Sequence, residues 1–243
     1  WHCKRGPARK TTDVTHLTPS GAPLLLLPAD ILGPNTMPDA TPAIMPTYGR
    51  LPVTFSRGEG AVLYDTTDRA YLDGVSGIAV TNLGHGHPRV TKAITDQAKR
   101  LVHTSNLFHI GLQEAVAEQL RAITGMENMF FCNSGAEANE AAIKLARRFG
   151  HQKGVETPKI IVLDGAFHGR TIGALSATGN QKIRQGFGPL LEGFVRVPPN
   201  DLIAIDALGE TLNGVVAVLV EPILGEAGIR PLDTDYLQGL RSL

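Results

Sequence analysis

Cysteine is scarce in this 243-residue chain: only Cys3 and Cys132 are present, and neither belongs to a C-x-x-C pair. That excludes a disulfide framework and the paired-cysteine zinc and redox motifs. Net charge is also absent, with 23 basic and 23 acidic side chains. The basic excess of a nucleic-acid binder is missing, so a small molecule or another protein is the expected partner. Long apolar runs are lacking. The run nearest the N-terminus, Leu24–Leu27, is bracketed by Pro23 and Pro28 and is far too short to span a bilayer. Lys4, Arg5, Arg9 and Lys10 precede it, but the run is too short for a signal peptide and no small-residue cleavage site follows. The chain reads as cytoplasmic, with no membrane partner. The eight histidines show no zinc-type spacing, and H-E-x-x-H, G-x-S-x-G and G-x-x-x-x-G-K-[ST] are all missing, so no metal site is expected.

What is present suffices for a core, since 42% of residues are apolar. Residues 1–44 stand apart. They are rich in Pro, Thr and Ala without strand or helix period, and read as disordered or non-native sequence. Met37 or Met45 fits a natural start, because the chain opens on Trp1. From Pro46 the texture changes. Val53–Ser56 and Ala61–Tyr64 predict a hairpin with Arg57-Gly-Glu-Gly60 as its turn. Pro88–Val102 and Leu112–Ile123 predict helices with apolar faces at Val90, Ile94, Ala98 and Leu101, and at Val116, Leu120 and Ile123.

Beyond these the pattern alternates. Strands are expected at Asn128–Cys132, Lys159–Leu163, Phe194–Val197 and Val215–Val220, the first and last of them buried. Helices are expected at Glu137–Phe149, Thr171–Ala177, Leu202–Leu212 and Tyr236–Leu243. Strands alternating with helices over short connections imply an α/β fold with a mostly parallel sheet covered by helices. Ending in a helix at Leu243 leaves such a sheet half built, so a fragment is expected.

Three segments carry chemistry. Cys132-Asn-Ser-Gly-Ala-Glu-Ala-Asn139 runs from a predicted strand into a helix. The first amides of a helix lack intrachain acceptors and lie at its positive end. With the Ser134 hydroxyl and room at Gly135 they make a phosphate cup. Ser134 with Glu137 is also a capping box, a compatible reading. Asp164-Gly-Ala-Phe-His-Gly-Arg170 follows a buried strand, where ligands sit in open α/β sheets. Phe167 suits stacking on a flat ring and Arg170 suits a carboxylate, although a plain surface loop fits these residues too. Glu221-Pro-Ile-Leu-Gly-Glu226 offers two carboxylates at a strand end, either to pair with a basic group in a cleft or as a charged turn. Gly84-His-Gly-His-Pro88 starts like a dinucleotide fingerprint, but Arg89 takes the third glycine position, leaving a Gly-rich turn into a helix.

Together Asn133–Asn139, Ala166–Arg170 and Val220–Glu226 resemble the class III aminotransferases, fold-type I pyridoxal-phosphate enzymes, from about Met45 onward. Ser76-Gly-Ile-Ala-Val80, Gly84–Pro88, Thr178–Lys182 and Gly186–Pro189 resemble the acetylornithine branch of that class. The resemblance implies an incomplete large domain at 101–243, and a segment 45–100 contributing to a small domain and a dimer interface. It implies pyridoxal 5'-phosphate held by Ser134, Gly135, Ala136, Phe167 and His168. Arg170 would bind a substrate carboxylate, Glu226 would gate the site, and Glu221 would support the pocket. The implied reaction is transamination of N2-acetylornithine with 2-oxoglutarate in arginine biosynthesis, by a homodimer. Alternatives are succinylornithine, 4-aminobutyrate or ornithine as donor, or a non-catalytic truncated binding protein. The family's acidic D-E-x-Q segment, Schiff-base lysine and a phosphate-binding threonine from the partner subunit are not found, and are expected beyond Leu243. No catalytic residue is therefore assigned in this chain, and Lys144 and Lys182 read as structural or solvated. Ile78 stands where ornithine-specific relatives carry tyrosine, and Leu224 where many relatives carry Gln.

Overall fold

The structure is a computed structural model that describes residues 43–211 and 213–243. The expectations for the N-terminal stretch therefore fall almost wholly outside the described residues. The chain divides into two compact units, Trp1–Ile110 and Gly111–Leu243.

In the first unit, β1 (Phe55–Glu59), β2 (Val62–Asp65) and β3 (Ala70–Leu72) form an antiparallel sheet in that order. The hairpin turn is tighter than the sequence predicts. β1 runs through Arg57, Gly58 and Glu59, with Glu59 opposite Val62. Only Gly60 and Ala61 turn, because Gly60 at φ 54 supplies the left-handed conformation a two-residue loop needs. Asp65 organises the next turn. Its carboxylate accepts from Thr67 N (2.8 Å), Thr67 Oγ1 (2.7 Å), Arg69 N (3.0 Å) and the Tyr71 hydroxyl (2.9 Å). These bonds, that from the Thr67 hydroxyl foremost, hold its pKa down at about 2. A depressed carboxylate contributes stability above its unfolded pKa near 4. The turn should therefore keep its order down to about pH 4 and lose it as pH falls toward 2. The Thr67 and Tyr71 proton shifts would report this, and shifts that move between pH 7 and 5 instead would refute it.

Asp73 ends the sheet. Its carboxylate accepts from Val75 N (3.0 Å) and Ser76 N (2.7 Å) and lies 2.7 Å from His85 Nε2. The turn it anchors, α1 (Ser76–Ala79), is left-handed: φ is +52, +62, +64 and +60° along the four residues. For non-glycine residues this conformation costs roughly 1–2 kcal/mol each, and its Ile78 side chain is exposed. α2 (Pro88–Arg100) follows, with proline in its first turn.

The second unit opens with α3 (Gly111–Thr124) and then α4 (Gly135–Gln152). The helices α2 and α3 form as predicted, but neither buries a residue. Asn128–Cys132 is a correction: the segment is not a strand, and Phe130 and Phe131 are exposed. Its apolar, β-prone residues meet no ladder partner among the described strands, and a strand exists only through its ladder.

The central sheet has the order β5 (Phe194–Val197), β4 (Lys159–Leu163), β6 (Val215–Leu219), all parallel. Ile160 and Val162 point to the side of α4 (through Ile143) and α5 (Ile172–Ala177). Ile161 and Leu163 point to the other side, toward α7 (Leu202–Thr211) and α8 (Thr234–Ser242). A strand covered on both faces reads as an unbroken apolar run, as Ile160–Leu163 does. β6 is half-buried rather than fully buried, because among the described strands it pairs only with β4. A short helix, α6 (Gln181–Arg184), and a two-stranded ribbon, β7 (Ile223–Leu224) with β8 (Arg230–Pro231), complete the unit.

Candidate active site

Parallel pairing places the carboxyl ends of β4 and β6 side by side, Val162 opposite Leu219. The loops that leave them are Asp164–Arg170 and Val220–Glu226, the same two segments the sequence singles out. Glu221 joins them. Its Oε2 accepts from Phe167 N at 2.8 Å and its Oε1 from Gly225 N at 3.1 Å.

The N-terminus of α4 is the third component. Ser134 is its N-cap, with Oγ accepting from Glu137 N at 3.2 Å, while Glu137 Oε2 accepts from Asn133 N at 2.6 Å. Only one half of the predicted capping box forms: Ser134 caps Glu137 N, but the Glu137 carboxylate reaches one residue past the N-cap, to Asn133 N. The hydroxyl proton of Ser134 stays available, because Oγ serves the cap as an acceptor. Ser134→Ala should cost about 1 kcal/mol of unfolding free energy. A denaturation midpoint identical to the parent's would contradict the cap.

The loop presses directly on this helix end. Gly169 (φ +131°) lies so close that an added Cβ would come within 2.9 Å of Ala136 Cβ. Asn139 Nδ2 donates to His168 O at 2.7 Å. On the far side Glu140 anchors α5, accepting from Ala174 N at 2.9 Å and from the Thr171 hydroxyl. Thr178, fully buried, accepts from His168 N at 3.0 Å.

The structure thus brings together Ser134, Gly135, Ala136, Phe167, His168 and Glu221. Arg170 and Glu226 are exposed on the same two loops. Sequence reasoning missed Asn139, Glu140 and Thr178. All three lie in or beside the quoted motifs, but as polar residues near a helix start or a turn they carry no signal of their own. Leu224 is 1% exposed within the core that includes Leu163 and Tyr236. An amide there would need buried partners.

Two observations bear on whether a flat, phosphate-bearing heterocycle fits. A Cβ added at Gly135 meets nothing within 4 Å, so the space before the first amides of α4 is open to an anion. The His168 imidazole is 4% exposed, yet its Nε2 has no hydrogen-bond partner among the described residues. A buried polar atom of this kind calls for one. Burial pushes the His168 pKa down, against the opposing pull of Glu221, so the ring is held neutral beside a carboxylate. Both features suit pyridoxal phosphate. Among the described residues no group of three or more His, Cys, Asp or Glu side chains is placed to hold a metal ion.

Comparison with known proteins agrees with this geometry. The family profile described as aminotransferase class-III matches residues 43–243. The acetylornithine aminotransferase of Nitrosomonas europaea is 52% identical over 200 residues, covering 82% of this chain and 51% of that protein. Acetylornithine aminotransferase 1 of Bordetella pertussis is 52% identical over 201 residues, covering 83% and 51%. The chain therefore spans about half the length of the curated relatives it matches. Among solved structures, the ornithine aminotransferase of Toxoplasma gondii superposes with a TM-score of 0.77 at 31% identity, over 82% of this chain and 48% of that one. The N-acetylornithine aminotransferase of Stenotrophomonas maltophilia gives 0.66 at 34% identity, over 80% and 48%. The fold is that of the fold-type I transferases, represented by about half of their length, and the chain belongs to the class III aminotransferase family.

Proposed function

We propose that the protein carrying this chain is a cytoplasmic, homodimeric, pyridoxal-phosphate-dependent aminotransferase that moves the distal amino group of N2-acetylornithine to 2-oxoglutarate in arginine biosynthesis. The observation that carries the reading is the convergence of the α4 N-terminus with the Phe167–His168 dipeptide and Glu221. When bound, the cofactor supplies an electron sink for the carbon that carries the amino group. The chain's own residues orient the reactants. Ser134 and the amides of Gly135 and Ala136 would hold the phosphate. Phe167 would stack on the ring, with His168 beside it. Arg170 takes the substrate carboxylate, Glu226 gates the entrance, and Glu221 ties the two loops together. Residues 45–100 contribute to the small domain and dimer interface, and residues 101–243 to the cofactor-binding domain. The acetylated donor is favoured by the identity to acetylornithine aminotransferases.

The test is transamination by the full-length protein, with 2-oxoglutarate as acceptor and N2-acetylornithine, N2-succinylornithine, ornithine and 4-aminobutyrate as donors. The expected result is a kcat/KM for acetylornithine at least tenfold above the other three. A preference for ornithine or 4-aminobutyrate would overturn the donor assignment alone. Failure to retain pyridoxal phosphate would overturn the enzyme reading.

A further inference from the structure

The Phe167–His168 dipeptide is held in an unusual way. Phe167 N donates to Glu221 Oε2 (2.8 Å), His168 N donates to Thr178 Oγ1 (3.0 Å), and His168 O accepts from Asn139 Nδ2 (2.7 Å). In each case the partner is a side chain, and the three belong to different parts of the unit: the turn after β6, the end of α5 and the first turns of α4. A strand ladder would hold such a segment through main-chain bonds that survive any substitution but proline. Here each restraint belongs to one replaceable residue.

Thr178 is built for this role. Its hydroxyl proton has an acceptor at hand in Ala174 O (2.9 Å), with Gly169 O farther away at 3.3 Å. The lone pair is thereby turned toward His168 N. The residue is 0% exposed, so no water can take over either bond.

From this geometry we propose that Thr178 and Asn139 are positioning residues. They fix the backbone of His168 from both sides, and so aim its unpartnered imidazole Nε2 and the neighbouring Phe167 ring at the bound cofactor. The inference rests on the cofactor reading above. Neither residue touches the cofactor. Both act through the dipeptide, because a side chain's direction follows from the backbone that carries it.

The test uses the full-length protein and pyridoxamine 5'-phosphate, which needs no covalent link. It is carried out on Thr178→Val, Thr178→Ser and Asn139→Ala. Three quantities are read: the dissociation constant, the ellipticity of the bound pyridine at saturation, and the titration of the His168 imidazole by NMR. Thr178→Val and Asn139→Ala should each weaken binding about tenfold and change the ellipticity of the bound ring. The His168 pKa should move back up toward the ordinary imidazole value as the loop loosens and admits water. Thr178→Ser, which keeps the hydroxyl, should bind within about twofold of the parent. A purely structural role would lower the melting temperature but leave the ellipticity per bound cofactor unchanged.

Parent-like binding, ellipticity and His168 titration in both Thr178→Val and Asn139→Ala would overturn the proposal. So would a Thr178→Ser variant as impaired as Thr178→Val. If Thr178→Val fails to fold, Asn139→Ala decides. If the parent protein itself binds no pyridoxamine phosphate, the cofactor reading falls, and an unchanged His168 titration in the variants then removes the clamp as well.

Discussion

Gly179→Ala should melt roughly 6–12 °C below the parent. Gly179 N donates to Ala166 O at 2.7 Å, and the residue lies flat against the turn that leaves β4. A Cβ there would sit 2.4 Å from Gly165 N, 2.4 Å from Leu163 O and 2.9 Å from Ala166 N. All three obstructing atoms are main-chain atoms, so no rotamer change relieves the clash. Overpacking of this kind costs about 3 kcal/mol, and in a protein of 150–250 residues each kcal/mol lowers the melting temperature by about 2–4 °C. The displaced turn carries Phe167 and His168, so cofactor retention should fall with stability. Calorimetry on Gly179→Ala beside a Gly188→Ala control, where an added Cβ meets nothing within 4 Å, separates a local clash from a general effect of losing glycine. Equal melting temperatures for the two variants would remove the close-approach argument.

Glu221→Ala should bind the cofactor about 10- to 100-fold more weakly. Two amides, Phe167 N and Gly225 N, lose their common carboxylate acceptor. Hydrogen bonds to a charged group contribute about 1.5–3 kcal/mol each. A loss of that size in the loaded state corresponds to about a 10- to 100-fold weaker dissociation constant. The sign of a second effect is also fixed. Burial lowers the His168 pKa while the Glu221 charge raises it. Removing that charge leaves burial unopposed, and the pKa should fall further. Because the folded pKa is depressed, the unfolded chain binds the extra proton, and stability drops as pH falls below about 6.5 toward the folded value. Glu221→Gln, which removes the charge but keeps an acceptor for Phe167 N, isolates this effect and should carry that loss to lower pH. A His168 titration that rises in Glu221→Gln would show that the carboxylate does not face the imidazole.

Much of this was legible in the sequence, for identifiable reasons. Lys159–Leu163 and Phe194–Val197 are strands at the predicted residues, because a short apolar run between turn residues has few other uses in an alternating chain. The three motif segments were legible because strand ends and helix starts are where an α/β fold offers ligands free polar groups. Asn128–Cys132 was misread for the opposite reason: β-propensity says nothing of a partner strand. The burial of β6 was overstated on the same ground. Asn139, Glu140 and Thr178 escaped notice because their meaning lies in distant pairings. Asn139 meets His168 across 29 positions, and Phe167 meets Glu221 across 54. No local pattern encodes such a meeting. Folding creates it by laying β6 beside β4.

That adjacency also works as a ruler. Neighbouring strands are spaced at about 4.8 Å whatever their sequence, so the loops leaving β4 and β6 start a fixed step apart, short enough for one carboxylate to bridge them. Relatives can lengthen, shorten or rewrite either loop, and so change what is recognised, without altering that step. On such a constant grid, a change of substrate needs a change of loop chemistry and no change of strand spacing.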